Sequence, residues 1–168
     1  EIPAFVGALV AGADFVKGSR FLQGAGTADM PLLRRLGNKG LTYTVRVLFG
    51  GKYSDLCYGF NAFWSDVLGR IAVGSDGFEV ETAMNIRALR AELRVVEVAS
   101  FESPRLFGTA KLRTFPDGWR ILKTIVHERF APAPARPRAQ HAQHEHVPAH
   151  AEERQFALAA ESLGAVDE

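Results

Sequence analysis

Up to about residue 130 the apolar and polar positions follow helical and strand periods in turn. Ile2 to Gly12 predicts a helix that Gly12 ends, and Ala13 to Lys17 a short strand. Gly18-Ser19-Arg20 is expected as a turn, and "LQGAGTADMP" as a mobile glycine-containing loop. Leu32 to Phe49 predicts an amphipathic helix. Arg34, Arg35, Asn38, Lys39, Thr42 and Arg46 fall on one face, with Leu33, Leu36, Gly40, Thr44, Val47 and Leu48 on or near the other. That division suits a helix lying at an anionic membrane surface or, more commonly, one that packs its aliphatic face on the core and turns its polar face to solvent.

Further helices are predicted over Asn61 to Leu68 and Phe78 to Leu93, the latter capped by Asp76 with Glu79 as its reciprocal partner. "RVVEVA" (Arg94 to Ala99) is a β-branched run of buried-strand length. After the loop "SFESPRLFGTAKL", a last amphipathic helix is predicted over Pro116 to Arg129, with Trp119, Leu122, Ile125 and Val126 on one side. Helices alternating with short apolar strands predict a layered α/β domain, although few strands are visible.

Composition refines this picture. The chain has 168 residues, 47% hydrophobic and 23% charged, which suits one globular domain. A formal net charge of +1 provides no global basic field, and the basic residues lack interleaved stacking aromatics, so nucleic acid is not an expected partner. Cys57 is the single cysteine, so no intrachain disulfide forms; beside aromatics it is expected in the core. No apolar run reaches the roughly 20 residues that span a bilayer. Glu1-Ile2-Pro3 lacks the marks of a signal peptide, and the missing methionine suggests a chain that begins inside a larger unit. From Ala131 the run "APAPARPRAQHAQHEHVPAHAEERQ" has almost nothing to bury. It predicts a disordered tail, with domains at 1–130 and 131–168. His141, His144, His146 and His150 in it are adventitious metal ligands or simply low-complexity polar residues.

Four stretches carry a resemblance: "ADFVKGSRF", "SDLCYGFNAF", "SDGFEVETAMNIRAL" and "RLFGTAKLRTFPDGWRIL". In this order and spacing they resemble the second half of a family 2 glycosyltransferase, closest to the dolichol/polyprenyl-phosphate mannosyltransferase-like branch. The resemblance implies a nucleotide-diphospho-sugar transferase (glycosyltransferase A-type) α/β fold, present in part. It implies inverting transfer of a hexose, mannose or glucose, from a nucleoside-diphosphate sugar to a polyprenyl phosphate. Mg²⁺ or Mn²⁺ is implied as cofactor, with its carboxylate ligands in an upstream nucleotide-binding half. Such an enzyme is expected to be cytoplasmic and peripheral at the inner face of the membrane.

The resemblance also implies roles. Arg20, at a strand end where open α/β sheets place their crevice, would face the donor diphosphate, with Lys17 beside it; a surface arginine on a turn is the plainer alternative. Asp76 would position acceptor or sugar, with Glu79 on the acceptor side, but a capped helix start explains both without chemistry. Arg105, Gly108 and Lys111 match the family's Arg-x-x-Gly-x-(Ser/Ala)-(Lys/Asn)-Leu loop at the acceptor: two cations flank a glycine that a phosphate can approach closely. Arg34 and Arg35 would meet the lipid headgroup from a helix lying on an anionic membrane. Two alternatives stand beside this reading: a related transferase acting on a sugar hydroxyl, in which Asp76 is a base, and a non-catalytic module binding membranes or phosphates.

Overall fold

A computed structural model of the chain describes residues 1–28, 30–71, 74, 77–104 and 113–132. The chain divides into two units, Glu1–Arg136 and Pro137–Glu168, and every described residue belongs to the first. The expected disordered tail lies outside the described residues, apart from its first two.

The elements run α1 (Ile2–Val10), β1 (Phe15–Ser19), β2 (Gly26–Thr27), α2 (Leu32–Phe49), β3 (Asn61–Phe63), a 3₁₀ turn (Ser65–Val67) and α3 (Leu68–Ile71). Then come α4 (Glu79–Arg90), β4 (Val95–Ala99), β5 (Phe101–Glu102) and α5 (Thr114–Phe130). The architecture is mixed α/β, as the sequence predicts, and is consistent with part of a glycosyltransferase-like fold. β1 is the centre of a three-stranded sheet, parallel to β4 from Phe15↔Val95 to Ser19↔Ala99 and antiparallel to β3 from Phe15↔Phe63 to Lys17↔Asn61. β2 and β5 form a separate two-residue parallel pair.

Every residue of β1 is buried. Strand alternation sends Phe15 and Val16 to opposite faces. Phe15 packs with Val67, Ile71, Ala88, Ala91 and Leu93 beneath α3 and α4, while Val16 packs with Phe5 and Ala13 beneath α1. Helices therefore cover both faces, as a strand without polar alternation requires. A third cluster, Val45, Tyr53, Leu56, Ile86, Ile121 and Ile125, joins α2, α4 and α5. Each large side chain so buried contributes about 1.5–3 kcal/mol.

Two expectations are corrected. The helix predicted over Asn61 to Leu68 is a strand, then a 3₁₀ turn and the short α3. The open edge of β1 decides this: Phe63 stacks on Phe15 at 5.7 Å, and the Gly18 N–H donates to the Phe60 carbonyl at 2.7 Å. The aliphatic side of α2 does not face the core either, although Arg35, Lys39 and Arg46 are exposed as expected. Its bounds match the prediction, but it buries Asn38, Thr42 and Val45 and exposes Leu33, Leu36, Val47 and Leu48. α4 takes Phe78 as its N-cap residue, with no side-chain cap bond, and the Glu79 carboxylate folds against Gly77 instead. Asp76 lies outside the described residues.

Candidate active-site cleft

The site begins with a stretch that has no strand or helix to satisfy its backbone. Residues 51–60, "GKYSDLCYGF", cross the carboxyl ends of β1 and β4 without regular structure. Their buried N–H and C=O groups need partners, and side chains from four elements supply them. Glu97 of β4 accepts from the Ser54 N–H at 2.9 Å and from Ser54 Oγ at 2.8 Å. From α2, Asn38 Oδ1 accepts the Cys57 N–H at 3.1 Å and Thr42 Oγ1 the Leu56 N–H at 3.1 Å. Asn85 of α4 donates to the Leu56 carbonyl at 3.1 Å, and Lys17 of β1 donates through Nζ to the Tyr58 carbonyl. The burial of Asn38 and Thr42 follows directly: these two side chains of α2 are the hydrogen-bonding wall for this segment.

Asp55 is the hub. Fully buried, its carboxylate accepts from Arg20 Nε at 2.7 Å, Arg20 Nη2 at 3.0 Å, the Arg20 N–H at 3.2 Å and Asn38 Nδ2 at 2.7 Å. Arg20 also donates through Nη1 to Glu102 Oε2 at 2.8 Å and through Nη2 to the Cys57 carbonyl at 3.2 Å, and its guanidinium lies 4.6 Å over the Tyr58 ring. Burial opposes the Arg20 charge, but the bonds and charges of Asp55 and Glu102 outweigh it and hold the guanidinium above its ordinary range. Such a bidentate pair fixes orientation as well as charge.

Above this hub opens a cleft of about 510 Å³ at the carboxyl ends of the two parallel strands, where open α/β sheets hold their ligands. Arg20, Tyr58 and Glu102 form one wall, Arg34, Asn38 and Leu41 of α2 another; Phe78 and Glu81 at the start of α4 and Thr114, Gly118 and Ile121 of α5 complete it. The Glu81 carboxylate rests against Gly59, whose missing side chain leaves it room. Burial raises the Glu81 pKa; Lys17 and Arg20 oppose the rise and Asp55 adds to it. Cys57, also in the wall, has its thiol pushed up to about 12, first by burial and then by the charges of Asp55 and Glu81. It is half-buried at the cleft and not deep in the core.

The residues expected from sequence fall in different places. Arg20 and Arg34 reach the cleft. Lys17 is wholly buried behind it, and burial lowers its pKa against the opposing pull of Asp55, Glu81, Cys57 and Glu97. Arg35 is exposed on α2 with its guanidinium 5.7 Å over the Phe21 ring. Glu79 is turned to Gly77, and at the start of α4 it is Glu81 that stands in the cleft wall, with Glu102 on another side. Arg105, Gly108 and Lys111 lie outside the described residues, but the chain leaves for that loop past Ser103 and returns at Thr114, both in the cleft wall. Asp55 and Glu102 are structural partners that sequence reasoning missed. Asp55 stands inside the quoted "SDLCYGFNAF" motif, and a buried arginine's need for a carboxylate is the signal that points to it.

Among the described residues, no group of three or more His, Cys, Asp or Glu side chains is placed to hold a metal ion. Both Asp55 oxygens are committed to Arg20 and Asn38, and Glu102 Oε2 to Arg20 and Thr27. These carboxylates do not form a divalent-cation site. No described helix is long and apolar enough to cross a membrane.

No protein-family model matches the chain. Individual relatives do. The chain is 33% identical over 128 residues to the low-salt glycan biosynthesis hexosyltransferase Agl6 of Haloferax volcanii, covering 75% of this chain and 31% of that protein. It is 30% identical over 115 residues to the polyprenol monophosphomannose synthase of Mycolicibacterium smegmatis, covering 67% and 43%. The undecaprenyl-phosphate mannosyltransferase of Micrococcus luteus is 29% identical over 103 residues, covering 60% and 42%. The chain thus spans less than half the length of each of these relatives. By its likeness to these proteins, and as the four motifs in order imply, the chain belongs to the polyprenyl-phosphate glycosyltransferase family.

Proposed function

We propose that this chain contributes the acceptor side of an inverting hexosyltransferase that moves mannose or glucose from a nucleoside-diphosphate sugar to a polyprenyl phosphate. One observation carries the proposal: the cleft at the carboxyl ends of β1 and β4 is walled by Arg20, Arg34 and Glu81, in a chain related to proteins named for transfer to such lipids. An acceptor phosphate oxygen attacks the anomeric carbon; the new C–O bond forms as the bond to the diphosphate breaks, and the nucleoside diphosphate leaves with the electron pair. The acceptor is already ionised near neutral pH, so the step needs little general-base help.

Arg20, held by Asp55 and Glu102, is assigned to the donor diphosphate, with Lys17 adding positive charge from behind and fixing the Tyr58 carbonyl. Asp76 positions the sugar or acceptor. Arg34, Arg105, Gly108 and Lys111 take the acceptor phosphate, with Arg35 and Glu79 at its periphery. Mg²⁺ or Mn²⁺, held by carboxylates expected in an upstream segment, would supply positive charge for the diphosphate leaving group. The protein works at the cytoplasmic face of a membrane and has no nucleic-acid partner.

The test is transfer of labelled hexose from GDP-mannose and UDP-glucose to polyprenyl phosphate. It compares this chain with the longest natural polypeptide that carries it, with metal and with chelator. Metal-dependent lipid-linked product from the longer polypeptide is expected, at least tenfold reduced by Arg34→Ala. Folded longer polypeptide without product from either donor overturns the proposal. A transferase acting on a sugar hydroxyl is favoured instead if the rate falls on the acid side with protonation of Asp76 or of Glu81, whose pKa burial raises.

A further inference from the structure

Arg20 stands in the cleft wall, yet it has little left to offer a ligand. A guanidinium carries five N–H donors. Nε and one Nη2 N–H go to the two Asp55 oxygens at 2.7 and 3.0 Å, and the other Nη2 N–H goes to the Cys57 carbonyl at 3.2 Å. Nη1 gives one N–H to Glu102 Oε2 at 2.8 Å, which leaves a single Nη1 N–H without a partner among the described residues. The charges lead to the same place. Two carboxylates against one guanidinium leave an excess of negative charge where a phosphate is to be met.

The two carboxylates are not held alike. Asp55 is fully buried and also accepts the Arg20 backbone N–H and Asn38 Nδ2, so it cannot leave without stranding several buried donors. The Glu102 side chain is 36% exposed and stands in the cleft wall. Among the described residues it is held through Oε2 alone, by Arg20 and by Thr27 Oγ1 at 2.8 Å across the β2–β5 pair. A carboxylate oxygen on a guanidinium N–H beside an open cleft takes the place that a phosphate oxygen would take. Two anions do not share that N–H, so a phosphate that binds Arg20 there must first dislodge Glu102.

We infer that Glu102 is a built-in competitor of phosphate for Arg20, displaced when a phosphate group enters the cleft and restored when it leaves. Its displacement gives a phosphate both Nη1 N–H groups, while Asp55 keeps the guanidinium in place. A diphosphate, which carries more charge than a carboxylate, wins this exchange. The return of Glu102 then speeds departure of the spent diphosphate, a step that sets the rate of many enzymes. The inference rests on the assignment of Arg20 to phosphate made above, but its test needs no sugar transfer.

The experiment is calorimetric titration of the full chain, in chelator, with inorganic pyrophosphate for the donor side and geranyl phosphate for the acceptor side. Glu102→Gln removes the competing charge at nearly constant size, and Thr27→Val removes the hydroxyl that helps to hold it. Glu81→Gln removes another carboxylate of the cleft wall, one that makes no bond to Arg20. Circular dichroism checks that each variant stays folded. Pyrophosphate is expected to bind Glu102→Gln at least about fivefold and Thr27→Val about twofold more tightly than the parent, with less than about a twofold gain in Glu81→Gln. A residue that merely braced Arg20 would act in the opposite sense. Equal or weaker binding by Glu102→Gln therefore overturns the inference. So does an equal gain in Glu81→Gln, which marks a general field effect, or binding of neither ligand by any of these proteins. A gain confined to geranyl phosphate upholds the exchange and moves Arg20 to the acceptor side. Loss of the transferase reading with the pyrophosphate gain in place leaves the exchange standing.

Discussion

At the scale of single residues, the cleft is an exercise in burying charge at tolerable cost. Arg20 and Asp55 are both buried, and what makes that stable is completeness: each Asp55 oxygen and most of the Arg20 donors have a partner. Glu81 is different, because no bond shown for it offsets its burial. Its native pKa lies above the ordinary glutamate value of about 4.3. The native state then holds the proton more tightly than the unfolded chain does. Stability therefore falls as pH rises through the window between those two values, and stays lower above it. Glu81→Gln removes the titration, so this variant is expected to melt higher than the parent at pH 7, with the gain vanishing below pH about 4. Calorimetry across that range checks the sign. A gain that persists undiminished in acid would show that the carboxyl is not disfavoured in the fold.

At the scale of elements, α2 shows how tertiary demand outranks local pattern. Periodicity reads its bounds, Leu32 to Phe49, correctly from the sequence, because apolar spacing and the left-handed Gly50 end are local properties. It misses which side is buried, because that is set by residues 53–60, whose backbone must be satisfied by Asn38 and Thr42. The prediction is contrary to core-filling intuition. Asn38→Leu places a larger apolar group at a buried position, yet it should destabilise the fold by about 1–3 kcal/mol. It strands the Cys57 N–H without a partner and leaves Asp55 Oδ1 with Arg20 Nη2 alone. Urea denaturation measures this, and a neutral or stabilising result would mean that the segment does not depend on α2. β3 was illegible for a similar reason. Three residues become a strand only because β1 offers an unfilled edge, more than 40 positions earlier in the chain.

At the scale of the molecule, the described residues hold together as layers, with α1 on one side of β1 and α3 and α4 on the other. One buried carboxylate joins α4 to α5: Glu128 accepts from Arg87 Nε at 3.0 Å and Arg90 Nη1 at 3.1 Å. Glu128→Ala removes the buried acceptor that Arg87 and Arg90 share and is expected to cost about 3 kcal/mol. Because α4 and α5 both wall the cleft, the same variant should loosen hydrogen-exchange protection at Phe78–Glu81 and Thr114–Ile121 before global unfolding; uniform loss of protection would deny that coupling. The sequence by itself determined the family, the mixed α/β class, the order of most elements and the place of Arg20 at a strand end. These follow from motifs, periodicity and turn residues, all of which act over a few positions. Only the tertiary structure decided that β3 is a strand, that α2 buries Asn38 and Thr42, that Asp55 balances Arg20, and that Glu81 and Glu102 stand at the cleft. Each of those depends on groups roughly 20 to 80 positions apart being brought within bonding distance, and desolvation then selects which charges must pair.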